Sequence, residues 1–217
     1  MLSIDALQSN SPLKILCIGC HSDDIEIGCG GTILQLLEHN PNLEFCWVVF
    51  SSGGSEREKE AHRSAGLFLD KSKTKELIVK DFRDGYFPFE GAKIKDVFEQ
   101  ELKKWKPDLV FTQNRKDAHQ DHRLVAELTW NTFRNHLVLE YEIPKYDGDM
   151  GQPNFFVPLE KKMYESKIRF LMEAFGTQRN KSWFAPETFL GLMRLRGMEC
   201  NSVTGYAEAF YSRKLVL

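Results

Sequence analysis

The sequence predicts an α/β fold: a doubly wound, Rossmann-like, mostly parallel sheet with helices on both faces. Three observations predict it. Short apolar runs of β-rich character alternate with stretches of helical length, the pattern of βαβ units. No internal repeat or low-complexity segment interrupts that alternation. The chain has 217 residues, 42% of them hydrophobic, which suffices for one core without staples.

The elements follow in order. KILCIGC opens the chain's regular part as a strand over 14–19, and the glycine-rich turn after it leads to a helix over about 30–39. LEFCWVVF is a strand over 43–50, and a helix follows over about 56–69. ELIVK is a strand over 76–80, FRDGYFPFEG a loop, and 92–105 a helix. DLVFTQ is a strand over 108–113, NRKDAHQD a loop, and 122–135 a helix. LVLEYEI is a strand over 137–143. After Pro144 the pattern loosens. KYDGDMGQPN reads as a loop, helices follow over about 159–174 and 186–196, and YAEAFYSRKLV reads as a last strand or edge segment. The chain is thus expected to be a single domain over 1–217, with about 145–217 a C-terminal elaboration.

Composition excludes several functions. A net charge of −2 gives no sign of a nucleic-acid partner. The first residues lack a basic segment followed by an apolar one, so no secretory signal is expected. No apolar run reaches the roughly 18 residues of a membrane span. Five scattered cysteines do not form a disulfide framework, and the expected compartment is the cytoplasm. Cys17-x-x-Cys20-His21 matches the spacing of a c-type haem attachment. Covalent haem attachment normally follows export, and these cysteines sit in a strand, so they read as core packing.

In doubly wound sheets ligands bind outside the carboxyl ends of the strands. The loops to read are therefore 20–30, 51–56, 81–90 and 114–121. The first holds His21, Asp23 and Asp24, and the last holds His119 and Asp121 with His122 opening the next helix. Three histidines and three carboxylates from two distant loops form a ligand set for zinc or a similar divalent ion. A catalytic zinc needs three protein ligands and an open position for water, and a neighbouring carboxylate can take the water's proton. Adjacent Asp23 and Asp24 suit a division of those two tasks. The bland alternative for Asp121 is a helix N-cap. His39, His62 and His136 read as ordinary surface or core residues.

The glycines at 28, 30 and 31 do not complete a dinucleotide fingerprint, because G-x-G-x-x-G would need glycine where Ile33 stands. The second strand also ends without the acidic residue expected to contact ribose. The glycines are expected to permit a tight turn and close helix–strand approach. A nucleotide-binding module and a cysteine hydrolase using Cys20 or Cys29 remain as rival classes.

The run HSDDIEIGCGGT (21–32) resembles the A-H-P-D-D-E-x-x-x-G-G-T signature of the PIG-L/LmbE-like zinc-dependent N-acetylglucosamine deacetylases. His119-Gln120-Asp121-His122 resembles their H-x-D-H motif. Arg57-x-x-Glu60-Ala61, Asp84-Gly85 and Tyr206-Ala207-Glu208-Ala209-Phe210 are similar to further family segments, so the likeness spans about 20–210. Ser22 and Ile25 depart from the motif at its proline and glutamate. Ser22 could loosen the turn or cap the next helix.

The resemblance implies removal of an N-acetyl group from an amino sugar, with Zn2+ or another divalent transition ion as cofactor. It implies His21, Asp24 and His122 as metal ligands and Asp23 as general base. His119 would hold or protonate the tetrahedral intermediate, oriented by Asp121. Arg57 and Asp84 would contact substrate hydroxyls, and Tyr206 would donate to the oxyanion or simply pack at the sheet edge. The expected partner is a small amino-sugar substrate, free or as a glycoconjugate or sugar nucleotide. Assembly into a homo-oligomer is compatible with the family, and a zinc amidase on another amide is an alternative. Tyr86, Phe87 and Phe89 offer either a stacking face for sugar or a hydrophobic plug. Substrate choice is expected to lie in 81–90 and in the loop after the fifth strand.

Overall fold

The computed structural model describes residues 12–216. The N-terminal reading against a secretory signal falls on residues outside that range. The described residues form one seven-stranded sheet in the order β3-β2-β1-β4-β5-β7-β6. Strands β1 (Lys14–Gly19), β2 (Glu44–Ser51), β3 (Thr74–Phe82), β4 (Leu109–Gln113) and β5 (Leu137–Tyr141) are parallel. β7 (Ala207–Ser212) runs antiparallel to β5, and β6 (Phe155–Pro158) antiparallel to β7.

Alternation along the strands splits the core into two layers. Ile15, Cys17, Phe45, Trp47, Leu109 and Phe111 face one layer. There they meet α1 (Asp24–His39), α2 (Glu56–Phe68) and α5 (Lys161–Ala174). Leu16, Ile18, Val48, Phe50 and Val110 face the other. That layer is closed by α4 (Gln120–Thr132) and by α3, which runs Gly91–Val97, through a π turn at Phe98–Leu102, to Lys103–Trp105. The last helix, α6, spans Pro186–Glu199. Because both faces are covered, the central parallel strands β1, β2, β4 and β5 are mostly apolar, whereas β3 at the sheet edge is more exposed and polar.

Helix α1 begins six residues earlier than the glycines suggested. Gly28 and Gly30 lie inside it, where a Cβ on Gly28 would collide with the Tyr141 ring and one on Gly30 would meet Phe68. They serve close approach rather than a turn, and a phosphate-binding loop is replaced by helix. The turn itself is only HSD, so Asp24 is already helical. β6 is a strand in the short stretch between the segment read as loop and the helix expected from about 159. Its four residues pair with β7, a partner 50 residues away.

Strand order reverses between β1 and β4, since β1 continues to β2 on one side and β4 to β5 on the other. The crevice at that switch point lies between the loops that carry the two histidine motifs.

Candidate metal and catalytic site

Both histidine motifs meet in a cleft of about 380 Å³, bordered by His21, Asp23, Asp24, Arg57, Asp84, His119 and His122. Each side chain is held by an identifiable local device. Asp24, in the first turn of α1, is fixed through one oxygen: Oδ2 accepts from the Cys20 and His21 backbone N–H groups at 2.8 and 2.9 Å and from Gln113 Nε2 at 3.0 Å. Gln113 ends β4, so the first and fourth strands are tied together through this carboxylate. Oδ1 has no protein partner among the described residues.

His122 is 3% exposed, and its Nδ1 lies 2.9 Å from Asp117 Oδ2. His21 presents Nε2 to two carboxylates, 3.0 Å from Asp84 and 3.5 Å from Asp121. Carboxylates accept, so the proton of a neutral His122 belongs on Nδ1; His21 Nε2 lies within ion-pair reach of its two carboxylates without an aligned hydrogen bond, and their charge favours the proton on that side of the ring. His21 Nδ1 and His122 Nε2 face each other at 3.2 Å. Asp24 Oδ2 lies 3.6 Å from the first and 3.4 Å from the second. With no metal a proton fills that gap, because a doubly protonated His21 donates through Nδ1 to His122 Nε2, and a divalent ion would take that proton's place. A tetrahedral ion with bonds of about 2.0–2.1 Å separates its ligands by about 3.3 Å. The residues present therefore fit a divalent transition ion.

The electrostatics agree. Burial favours a neutral His21, but Asp24, Asp121 and Asp84 outweigh it and raise its pKa well above the usual range. Burial would raise Asp24, yet His122 and His21 hold it well below the ordinary carboxylate range. The hydrogen bond to His21 brings Asp84 down to about 2 despite its partial burial. These carboxylates favour a positive charge on or beside His21. His119, also within ligand reach of His21 and His122, is shifted down by burial and by those two histidines. Cys20 lies near Asp24 and His122, but burial and then Asp24 push its thiol well up.

Several sequence expectations change here. The N-cap of α4 is His119, not Asp121: the Asp121 backbone N–H donates to His119 Nδ1 at 3.3 Å. A ring nitrogen supplies the cap acceptor, so the proton of a neutral His119 sits on Nε2. The Asp121 carboxylate does not orient His119. It accepts from Gly85 N at 2.7 Å and Phe87 N at 3.2 Å, fixing the turn that presents Asp84. Gly85 takes a φ of +78° in that turn, which suits glycine. Arg57 is engaged inside the protein, with Nη2 2.6 Å from Asp23 Oδ1 and Nε 3.0 Å from Ser22 Oγ. Ser22 is accordingly buried and caps nothing. Asp84 pairs with His21, although 73% of its side chain is exposed.

Tyr206 stacks on Tyr164 with ring centroids 4.2 Å apart and does not border the cleft. Phe87 is the plug, fully buried against Phe50 and Phe82, while Phe89 is 82% exposed. Asp117 and Gln113, which hold His122 and Asp24, were passed over in the sequence. Asp117 sat in view within NRKDAHQD, five residues before His122, a spacing that brings a loop carboxylate back onto the first turn of the helix. Lys145 Nζ also reaches Asp117, at 3.0 Å.

The fold and the cluster define a class, a doubly wound α/β protein with a histidine–carboxylate cluster at its switch point. The family model described as "PIG-L: GlcNAc-PI de-N-acetylase" matches residues 16–133, more than half of the sequence. The chain belongs to the PIG-L family. It is 25% identical over 142 residues to the uncharacterized deacetylase YaiS of Escherichia coli, covering 63% of this chain and 77% of that protein. It is 28% identical over 125 residues to diacetylchitobiose deacetylase of Thermococcus kodakarensis, covering 52% of this chain and 46% of that one.

Among solved structures, N,N'-diacetylchitobiose deacetylase from Pyrococcus horikoshii superposes with a TM-score of 0.72 at 23% identity, covering 92% of this chain and 83% of that chain. A conserved protein from Thermus thermophilus gives 0.73 at 21%, covering 94% and 96%. These structural likenesses establish the fold.

Proposed function

We propose that the protein hydrolyses the N-acetyl group of an amino sugar of the N-acetylglucosamine type, releasing acetate and a free amine. His21, Asp24 and His122 would hold zinc. The observation that carries this reading is the pair of ring nitrogens, His21 Nδ1 and His122 Nε2, turned toward each other at 3.2 Å while their opposite nitrogens rest on carboxylates. When bound there, zinc supplies Lewis acidity toward the amide carbonyl and acidifies a water.

The chain's own residues do the rest. Arg57 occupies Asp23 Oδ1, and Oδ2 has no partner among the described residues, so it is the oxygen that accepts the water's proton. Arg57 thereby positions the base. His119, with Nδ1 occupied by a backbone N–H, offers Nε2–H to the developing oxyanion or the leaving nitrogen. The proton taken by Asp23 is returned to the amine as the C–N bond breaks. Asp84, exposed at the rim, keeps an oxygen for a substrate hydroxyl. Five unpaired cysteines accord with a cytoplasmic setting. Among the described residues no helix is long and apolar enough to cross a membrane.

The test pairs metal content with acetate release from N-acetylglucosamine and N,N'-diacetylchitobiose, across a panel of divalent ions. Wild type is expected to carry about one ion per chain. His122→Ala is expected to lose the ion and the activity. Asp23→Asn is expected to keep the ion and lose roughly 10²–10⁴-fold in turnover. An Asp23→Asn variant that loses its metal would reverse the roles of Asp23 and Asp24.

A further inference from the structure

Ser22 sits between His21 and Asp23 in the turn that carries the histidine–carboxylate cluster, and it is fully buried. The family signature has proline at this position, and proline has no hydroxyl. In this chain the hydroxyl belongs to a row of four hydrogen bonds. Arg57 Nε lies 3.0 Å from Ser22 Oγ, Ser22 Oγ 3.1 Å from Ser52 Oγ, Ser52 Oγ 3.3 Å from Ser51 Oγ, and Ser51 Oγ 2.8 Å from the Cys20 carbonyl oxygen.

The two ends fix the direction of the row. A guanidinium only donates, a carbonyl only accepts, and each hydroxyl has one proton. Ser51 gives its proton to Cys20, so Ser52 gives its own to Ser51 and Ser22 gives its own to Ser52. The Ser22 oxygen is left to accept from Arg57. All four bonds form together in that order alone. The row rests on rigid elements, because Ser51 ends β2 and its backbone N–H also donates to the Cys20 carbonyl, at 2.9 Å, just beyond β1. A separate observation marks Ser52. It takes a φ of +88°, a left-handed conformation that glycine adopts with less strain. What serine offers there and glycine does not is the hydroxyl in the middle of the row.

We propose that Ser22, backed by Ser52 and Ser51, is a positioning residue that fixes the plane of the Arg57 guanidinium and, through it, the carboxylate of Asp23. The proposal rests on the reading above in which Asp23 is the general base. Arg57 Nη2 meets Asp23 Oδ1 at 2.6 Å. That contact alone would let guanidinium and carboxylate turn together. The second contact, at Nε, removes this freedom and keeps Asp23 Oδ2 in one direction. A residue that only shaped the turn would act on His21 and Asp24 as well, so metal affinity separates the two roles.

The experiment compares wild type with Ser22→Ala, Ser52→Gly, Arg57→Ala and the Ser22→Ala/Arg57→Ala double variant, all as full-length protein. Zinc affinity is read by chelator competition and acetate release from N,N'-diacetylchitobiose by steady-state kinetics. Hydrogen exchange at the Arg57 Nε–H is read by 15N NMR, the signal being assigned by its loss in Arg57→Ala. That proton is expected to be protected in wild type and to exchange about tenfold faster in Ser22→Ala. Ser22→Ala is expected to keep its zinc affinity and its KM within about twofold while kcat falls roughly five- to twentyfold. In the Arg57→Ala background the same substitution should remove nothing further. Ser52→Gly should be at least as stable as wild type, since its φ suits glycine, and should still lose part of kcat. A Ser22→Ala variant with unchanged kcat, one that loses zinc, or losses that multiply in the double variant would each overturn the positioning role. An Arg57 Nε–H that is protected in wild type and released in Ser22→Ala, with no acetate formed by either, would refute the deacetylase reading and leave the anchoring of Arg57 standing.

Discussion

Removing Asp117 should weaken metal binding without touching a ligand. In the folded protein Asp117 Oδ2 lies 2.9 Å from His122 Nδ1, and Oδ1 accepts from the His119 backbone N–H at 2.7 Å. The first contact holds the ring so that Nε2 faces His21, and it keeps the proton on Nδ1. A hydrogen bond to a charged group contributes about 1.5–3 kcal/mol. If that contribution is expressed only when Nε2 is used as a ligand, its loss costs about 10- to 100-fold in affinity, the range typical for groups that support metal-binding histidines. Lys145 would not be stranded in an Asp117→Ala variant, because Asp149 Oδ2 remains 2.6 Å from its Nζ. Asp117→Ala should therefore fold, with an unchanged far-ultraviolet spectrum. The assay is a zinc competition titration against a chelator of known affinity, run beside wild type and His122→Ala. An Asp117→Ala affinity within twofold of wild type would refute the reasoning, since the ring would then be held by something other than this carboxylate.

Other perturbations test the fold and the rival chemistry. Gly28→Ala should destabilise the protein by about 1–3 kcal/mol in urea unfolding, because its Cβ has no room beside Tyr141, whose hydroxyl is fixed on the Ile18 carbonyl at 2.6 Å. Lys167→Met should cost about 3–5 kcal/mol, because Glu208, only 3% exposed on its side chain, would lose the ammonium 2.6 Å away. Native protein should be alkylated at Cys200 alone. Burial pushes the Cys17, Cys20 and Cys29 thiols well up, and in Cys46 it does so to about 12. Acetate release should survive that alkylation and be abolished by a chelator, whereas a cysteine hydrolase would give the opposite pair of results.

The apolar runs made the central strands legible, because strands covered on both faces are largely apolar, whereas the edge strands β3 and β6 are not fully buried. That the two histidine motifs would meet was equally legible. Ligands gather at the carboxyl ends of such strands, and HSDD and HQDH both follow strands. Two things were misread for a common reason. Glycines 28, 30 and 31 were expected to serve both a tight turn and close approach; the turn lies before them, and the close approach is to Tyr141, to Phe68 and to Leu159 with Glu208. The partners of the site side chains were assigned by motif, whereas the folded chain decides them by distance. Arg57 reaches Asp23 rather than solvent, Asp121 holds the Asp84 turn, and Tyr206 lies with Tyr164. Gln113 could not be read before folding, and Asp117 was visible only as a carboxylate five residues before His122. A sequence fixes which groups are available, and local periodicity fixes which element carries them. Which donor meets which acceptor across a hundred residues depends on how the elements pack, and hydrogen bonds are too short-ranged to leave any trace in sequence spacing.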